Sequence, residues 1–269
     1  MVNPADEGIR IYKLLYNHYN SDFGGSVVGI SGAQGSVKTT VCLDIVEKKI
    51  EHHPEEYLFW RETLKSPMQC ERLLKNDFYV YIEEGYDVKF RRVQSQEPVD
   101  LDCTYFSTIH ELYKLVQPGR LNVVFFKDVK SWTGLIELGN MDPAYWKSVF
   151  IDEMEGLFYA GSNNQTEDKW WDWMHEAGEI IKECRKGHTS VFGNYHDDNL
   201  IDHRIRGKFM FFLYGYGAVV NAMRSRINQP FVDGCRMGEF CISHGRGRFG
   251  KIQIENWYPS IENPIIPYI

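Results

Sequence analysis

The sequence predicts an α/β fold, a three-layer sandwich with a mostly parallel central sheet and a small β-hairpin insertion. Short apolar segments typical of buried strands alternate along the chain with segments of helical periodicity. A glycine-rich segment, residues 29–40, joins one predicted strand to the helix after it, and a second apolar strand, residues 147–153, ends in two carboxylates. Both segments are typical of parallel sheets, in which loops at the carboxyl ends of strands bind ligands.

The first predicted element is a helix over residues 7–19, where apolar side chains recur at helical spacing. Residues 26–30, SVVGI, form a short apolar run that predicts a buried parallel strand. Helical spacing returns in residues 39–50, so that a second helix begins near Lys38. A turn between such a strand and helix presents backbone N–H groups and the helix dipole to a bound anion.

The turn itself reads GISGAQGSVKTT over residues 29–40 and resembles the phosphate-binding pattern G-x-x-x-x-G-K-[ST]. Gly32, Lys38 and Thr39 satisfy this pattern, whereas Val37 stands at its second glycine. We expect Lys38 to reach the β- and γ-phosphates of a nucleotide and the Thr39 hydroxyl to coordinate Mg²⁺. The residues expected to line the nucleotide are Gly32, Ala33, Gln34, Gly35, Ser36, Val37, Lys38, Thr39 and Thr40.

Val37 is the unusual residue of this loop. Glycine serves where a backbone approaches a ligand closely or takes a positive φ. A β-branched side chain adds bulk beside the phosphates and resists positive φ. We therefore hypothesise that Val37 weakens nucleotide binding or hydrolysis without unfolding the domain.

The predicted strand over residues 147–153 carries Asp152 and Glu153 at its end. At the carboxyl edge of a parallel sheet, these side chains open into the crevice where ligands bind. Asp152 is expected to hold Mg²⁺ together with Thr39, and Glu153 to activate the attacking water as a general base. Together with the glycine-rich loop, this pair predicts a P-loop NTPase that binds ATP and Mg²⁺.

Residues 186–194 run from a basic turn into a strand that ends at Asn194. Asn194 either senses the γ-phosphate or the water, or begins a turn with the polar residues after it. Arg204 and Arg206 follow in the segment DHRIR. They either stabilise the phosphates of a neighbouring subunit or form surface salt bridges.

The other elements complete an alternating pattern. In chain order they are strand 57–60, helix 66–76, a hairpin of residues 78–82 and 88–93, helix 107–116, strand 121–126, helix 167–185, strands 188–194 and 209–214, and an irregular tail. We expect three regions, namely an N-terminal helical extension (1–25), a P-loop ATPase domain (26–254) and a C-terminal tail (255–269). Trp170, Trp171 and Trp173 form either a packing cluster, which we favour, or a subunit interface or base-stacking site.

The composition limits the classes of partner. With 43% hydrophobic and 25% charged residues, the chain of 269 residues resembles an ordinary globular protein. A net charge of −7 confines nucleic-acid contact to local patches such as Arg91–Arg92 or Arg246 and Arg248. Scattered cysteines, the polar N-terminus and the lack of a membrane-length apolar run predict a soluble, cytoplasmic protein with reduced thiols.

The order of these motifs resembles the HerA/FtsK superfamily of DNA-pumping ATPases. Residues 185–194 and 202–206 are also similar to the zonula occludens toxin-like ATPases of filamentous phages and the packaging ATPases of archaeal viruses. The resemblance implies a ring, expected to be a hexamer, that drives DNA through its centre. It places Lys38, Thr39, Asp152 and Glu153 at the nucleotide and catalytic positions of the family, and Asn194 at a sensor that is usually glutamine.

The chain departs from that family at Val37 and in the shorter Asn194. We also expect it to lack the membrane anchor that many toxin-like members have. The leading hypothesis is an ATP-driven DNA translocase, for viral genome packaging or plasmid transfer. The alternatives are a replication or helicase-loader ATPase of the AAA+ kind, and a nucleotide-binding scaffold in which hydrolysis has been lost.

Overall fold

A central sheet of ten strands forms the middle layer of the computed structural model. The structure describes residues 3–17, 24–64, 66–73, 78–160, 168–221, 227–244, 248–254 and 261–269. The strands are β1 (Val27–Ser31), β2 (Tyr57–Arg61), β3 (Phe78–Glu83), β4 (Lys89–Arg92), β5 (Cys103–Phe106), β6 (Leu121–Phe125), β7 (Lys147–Ile151), β8 (Thr189–Tyr195), β9 (Phe211–Gly215), β10 (Glu239–His244), β11 (Arg248–Gln253) and β12 (Ile265–Tyr268). The helices are α1 (Pro4–Tyr16), α2 (Lys38–His52), α3 (Ile109–Leu115), α4 (Ser131–Met141), α5 (Asp168–Glu183), α6 (His203–Arg206) and α7 (Gln229–Asp233).

The strand order across the sheet is β11-β10-β9-β1-β8-β7-β2-β6-β3-β5. All pairs from β9 to β5 are parallel, and only β10 and β11 run antiparallel to their neighbours. β4 and β12 form a separate antiparallel sheet. The predicted fold class, a P-loop NTPase α/β sandwich with a small additional β element, is therefore confirmed.

The sheet is buried on both faces, as parallel sheets require. Val28 and Ile30 of β1 face one apolar core, which also contains side chains of α1, α2 and the small sheet. Val27 faces the other core, which is formed with α3, α4, α5 and α6. Every residue of β1 is buried, which fixes the strand that carries the glycine-rich loop.

The register aligns the ends of three central strands. β8 lies between β1 and β7, with Asn194 opposite Ile30 of β1 and Gly193 opposite Ile151 of β7. Parallel strands end at a common edge. The glycine-rich loop after β1, Asn194 of β8 and the acidic pair after β7 therefore meet at that edge.

The predicted hairpin of residues 78–82 and 88–93 does not form. β3 pairs with β5 and β6 in the main sheet, where Val80 and Ile82 are buried. β4 instead pairs with β12, in the tail that we expected to be irregular. Ile265 of β12 is buried in the core. The small sheet therefore packs against the core through β12, which a hairpin of residues 78–93 would not contain.

Other bounds also differ from the sequence-based expectations. Of the predicted helix 66–76, only one 3₁₀ turn forms, Gln69–Arg72. Its Cys70 N–H donates to the buried carboxylate of Glu62, which competes with a regular helix start; residues 74–77 lie outside the described part. The sequence did not predict β5, α4, β10 or β11. The predicted first helix, 7–19, begins earlier, at Pro4, and residues 18–19 lie outside the described part.

Both ends of the chain pack against the main fold. α1 lies so close to β11 that a Cβ on Gly8 would come 2.1 Å from the Lys251 carbonyl oxygen. In the described ranges, none of the helices has the length and apolar character needed to cross a membrane.

Candidate functional site

The glycine-rich loop connects β1 to α2 and has two left-handed residues. Gly35 has φ 77°, and Val37, immediately before the helix, has φ 64° and ψ 23°. The loop therefore has the conformation for which glycine is favoured, although a valine occupies it. The Val37 side chain is half-buried against the core beneath α2. This packing offsets part of the backbone strain, which is about 1–2 kcal/mol for a left-handed residue.

Lys38 folds back onto this loop. Its Nζ donates to the carbonyl oxygens of Gly32, at 2.7 Å, and Ala33, at 3.0 Å, and lies 3.3 Å from His196 Nδ1. Because an ammonium group only donates, His196 Nδ1 is the acceptor and the imidazole carries its proton on Nε2. That nitrogen lies 3.7 Å from Glu155 Oε1. Burial lowers the pKa of Lys38, while the negative charges of Glu155 and Asp152 oppose the shift.

Asn194 holds the acidic pair. Its Nδ2 donates to Asp152 Oδ1, and its Oδ1 accepts the Glu153 N–H at 2.8 Å. A backbone N–H can bond only to the amide oxygen, so the orientation of the Asn194 side chain is fixed by its partners. Glu153 has φ 51°, a left-handed conformation, and its side chain is exposed. Asn194 lies inside β8 rather than at the start of a turn; whether it senses a γ-phosphate stays a prediction.

Arg61 is a site residue that sequence reasoning missed. It ends β2, the strand next to β7, and its Nη1 donates to the carbonyl oxygen of Asp152 at 2.6 Å and to that of Glu153 at 3.4 Å. Burial lowers the pKa of Arg61, and the charges of Asp152 and Glu153 counteract this. No motif marks Arg61. Its position at the carboxyl end of a predicted strand was the one available signal.

Acidic side chains outnumber basic ones at this edge of the sheet. Four carboxyl groups, those of Glu62, Asp152, Glu153 and Glu155, lie around two basic groups, Lys38 and Arg61. Burial raises the pKa of Asp152 and of Glu155, and it raises the pKa of Glu62 to about 8. Glu155 Oε2 is buried and has no hydrogen-bond partner among the described residues.

These donors fit a hard divalent cation that brings further ligands of its own. In the described part of the chain, no three His, Cys, Asp or Glu side chains converge into a complete metal site. Mg²⁺ commonly takes one or two carboxylates and completes its shell with phosphate oxygens and water. Asp152 with the Thr39 hydroxyl suits that mode.

Arg204 and Arg206 are held elsewhere in the same chain. Arg204 makes a two-pronged pair with Asp202, with Nε and Nη2 each 2.8 Å from a carboxylate oxygen, and its guanidinium carbon lies 4.5 Å from the centre of the Trp171 ring. Arg206 is buried and donates to the Asp198 carbonyl oxygen. The structure brings neither arginine to the glycine-rich loop of its own chain. Their action on a neighbouring subunit stays a prediction.

The tryptophans and the basic pairs have mixed environments. Trp173 is buried, whereas Trp171 is about half exposed beneath Arg204. Arg92 pairs with Glu71 at 2.7 Å, and Arg91 stacks over a tyrosine ring of β12. Arg248 is exposed, and Arg246 lies outside the described residues.

Comparison with known proteins gives likeness in fold rather than in sequence. Neither a protein-family model nor a curated protein matches the chain. The genome packaging NTPase B204 from Sulfolobus turreted icosahedral virus 2, in complex with AMPPCP, matches with a TM-score of 0.53 and 9% identity, over 86% of this chain and 99% of that one. Its complex with ATP-gammaS gives 0.52 and 10% identity over 84% and 96%.

A third match, the same NTPase with sulfate, has a TM-score of 0.52 and 11% identity over 87% of this chain and 99% of that one. The likeness thus extends over nearly the whole of the neighbour and most of this chain. At such identities it establishes the fold alone. The chain has the P-loop NTPase fold of this viral packaging NTPase, in agreement with the resemblance expected from its motifs.

Proposed function

We propose that the chain is an ATP-driven DNA translocase that packages a genome, with ATP hydrolysed between the subunits of a ring. One observation carries the proposal: the glycine-rich loop and the Asp152–Glu153 pair meet at one sheet edge, on either side of Asn194, which hydrogen-bonds to the acidic pair. The likeness to a genome packaging NTPase in complex with ATP analogues supports the choice of nucleotide and of DNA as partner.

Each site residue has a role in this proposal. When a nucleotide binds, the Lys38 ammonium group leaves the carbonyl oxygens of Gly32 and Ala33 and donates to the β- and γ-phosphates. Asp152 and Thr39 would hold Mg²⁺, and the bound ion would neutralise charge on the phosphates. Glu153 accepts the proton of the attacking water. Arg61 donates to the main-chain carbonyl oxygens of Asp152 and Glu153 and so keeps the Glu153 carboxylate in place.

The ring, which we expect to be a hexamer, would place an arginine of one subunit at the phosphates of the next. Arg204 is the better candidate because its side chain is 19% exposed, whereas Arg206 lies in the core at 7%. To reach a neighbour, Arg204 would leave Asp202, which now pairs with it. DNA would pass through the centre of the ring, in the cytoplasm, or in that of the host if the protein is viral.

The test is ATP hydrolysis with and without double-stranded DNA, in the wild-type chain and in Val37→Gly. We expect DNA to stimulate hydrolysis in at least one of the two, and Lys38→Ala to abolish it. Lys13→Ala, at an exposed position of α1, is the matched control. Absence of hydrolysis from both proteins in every oligomeric state would overturn the proposal.

A second candidate, a nucleotide-binding scaffold without turnover, is favoured by one observation. Val37 has a left-handed backbone conformation, which raises the free energy of the folded state for valine but not for glycine. In that case the wild-type chain binds ATP, and neither it nor Val37→Gly hydrolyses it.

A further inference from the structure

A short segment after β9 crosses the start of the glycine-rich loop; we call residues 216–219 the strap. The Ala33 N–H donates to the Tyr216 carbonyl oxygen at 3.0 Å. A Cβ on Gly217, which has φ 67°, would come 2.7 Å from the Ala33 Cβ. Val219 forms a bridge with Asp197, just beyond β8. Because β8 and β9 lie on opposite sides of β1, the strap passes over the point where the loop leaves β1.

The strap is anchored at both ends by one buried carboxylate. Asp198 Oδ2 accepts the Tyr214 hydroxyl at 2.9 Å and the Asn221 N–H at 3.1 Å. Its Oδ1 accepts the Tyr195 hydroxyl at 2.9 Å. The strap therefore starts and ends at fixed positions, although it is an irregular segment.

Two apolar side chains on this anchored segment remain in solvent. Tyr216 is 50% exposed and Val219 is 46% exposed. The Tyr216 carbonyl oxygen holds the loop, while Tyr216 itself stays half exposed and has no aromatic partner among the described residues. An exposed ring on a fixed backbone loses little conformational entropy when a flat ligand covers it.

The direction of a bound nucleotide follows from the charged groups. Lys38, Asp152 and Asn194 mark the γ-phosphate end, on the β7–β8 side of the loop. The base is at the opposite end of the molecule, so it leaves the loop on the β9 side, where the strap begins with Tyr216.

We propose that Tyr216 binds the nucleobase by stacking its ring on the base. The inference rests on the proposed function and adds the part of the nucleotide that the sequence motifs do not address. Every base has a π face, and Tyr216 and Val219 carry no charged group. The contact therefore separates nucleotides from bare triphosphate and discriminates little between ATP and GTP.

The experiment measures the affinity of two ligands, ATP and inorganic tripolyphosphate, which lacks the base. Tyr216→Ala is expected to weaken ATP binding about 10-fold, and to leave tripolyphosphate binding unchanged. Tyr216→Phe keeps the ring and should bind ATP like wild type. Tyr145→Ala removes a similarly exposed tyrosine that precedes β7, at the amino ends of the parallel strands, and is the control.

Unchanged ATP affinity in Tyr216→Ala would overturn the inference, as would an equal loss for both ligands. Two other results would overturn the proposed function. In the first, neither wild type nor Val37→Gly binds ATP or tripolyphosphate. In the second, Lys38→Ala leaves ATP affinity unchanged. ATP binding that needs Lys38 but not the Tyr216 ring rejects only the stacking contact.

Discussion

The two ends of the candidate nucleotide site are built in different ways. At the β7–β8 end, side-chain hydrogen bonds from Asn194 and Arg61 hold Asp152 and the main chain of Glu153, close to Lys38. At the strap end, one main-chain hydrogen bond holds the loop, and Tyr216, which accepts it, is half exposed. Chemistry needs particular charged side chains, whereas holding a base needs a flat surface. The first end therefore leaves a sequence motif and the second does not.

The largest expected effect separates chemistry from binding. Glu153→Gln keeps the size of the side chain but cannot accept a proton from water. We expect kcat to fall about 10²–10⁴-fold, while ATP affinity changes by less than about 3-fold. Steady-state hydrolysis and equilibrium ATP binding measure the two quantities. The matched variant is Glu155→Gln, which alters the carboxylate beside His196. If Glu155→Gln causes the larger loss of kcat, the general base is Glu155.

The second prediction concerns Glu62, a buried carboxyl group near Asp152. Glu62 is buried, and burial together with the charge of Asp152 raises its pKa from 4.5 to about 8. A raised carboxyl pKa favours the folded state below about pH 4.5, and this contribution is lost as pH rises towards 8. Glu62→Gln stays neutral and keeps the acceptor for the Cys70 N–H. Its free energy of unfolding should exceed that of wild type by as much as about 4 kcal/mol at pH 8.

Denaturant unfolding at pH 5 and pH 8 tests this prediction. The difference between Glu62→Gln and wild type should be small at pH 5 and large at pH 8. Glu137→Gln, at an exposed position of α4, should behave like wild type at both. A Glu62→Gln protein that is less stable than wild type at pH 8 would show that the Glu62 carboxylate is well solvated or paired when charged.

Arg61 gives an intermediate effect that sharpens the comparison between the two ends. It contacts the main chain of Asp152 and Glu153 and so acts by positioning. We expect Arg61→Ala to lower kcat about 10-fold, since two charge-assisted hydrogen bonds are lost, with little change in KM. Arg61→Lys keeps the charge and should recover part of the loss. A change confined to KM would instead place Arg61 in nucleotide binding.

The smallest effect on stability is expected for Val37→Gly. Relief of left-handed strain favours the glycine variant by about 1–2 kcal/mol. Loss of the half-buried side chain and the greater freedom of unfolded glycine disfavour it by about as much. The net change in unfolding free energy should therefore stay below about 1 kcal/mol. The same variant should bind ATP more tightly, as titration would show, if the valine crowds the phosphates.

Sequence reasoning found residues at the ends of their own strands, and missed contacts between strands. Lys38, Asp152 and Asn194 were identified because each ends or follows a recognisable apolar run. Arg61 lies in the site because β2 is the neighbour of β7 in the sheet. The order of strands in a sheet cannot be predicted from any single segment of the sequence. The strap has the same origin, since it depends on β9 flanking β1.

The errors in the fold prediction also arise from contacts between segments that are distant in sequence. The hairpin at residues 78–93 was predicted because neighbouring strands often pair, but β4 found its partner about 170 residues later in β12. The tail looked irregular because proline is rare inside strands, yet Pro267 lies in a two-stranded sheet with an open edge. Asp202, the partner of Arg204, belongs to the segment DHRIR itself, in line with the salt-bridge alternative. The partner of Arg206, the carbonyl oxygen of Asp198, lies outside that segment and was not evident from it.

The pairing of β1 has a consequence for the newly made chain. The strand that carries the glycine-rich loop pairs only with β8 and β9, so Val27 meets Val191 and Val28 meets Phe211. Contacts so distant in sequence close long loops, and chains dominated by them fold slowly. During synthesis, the apolar β1 segment stays unpaired until more than 190 residues have left the ribosome. We expect this early strand to need protection from aggregation before the site can form.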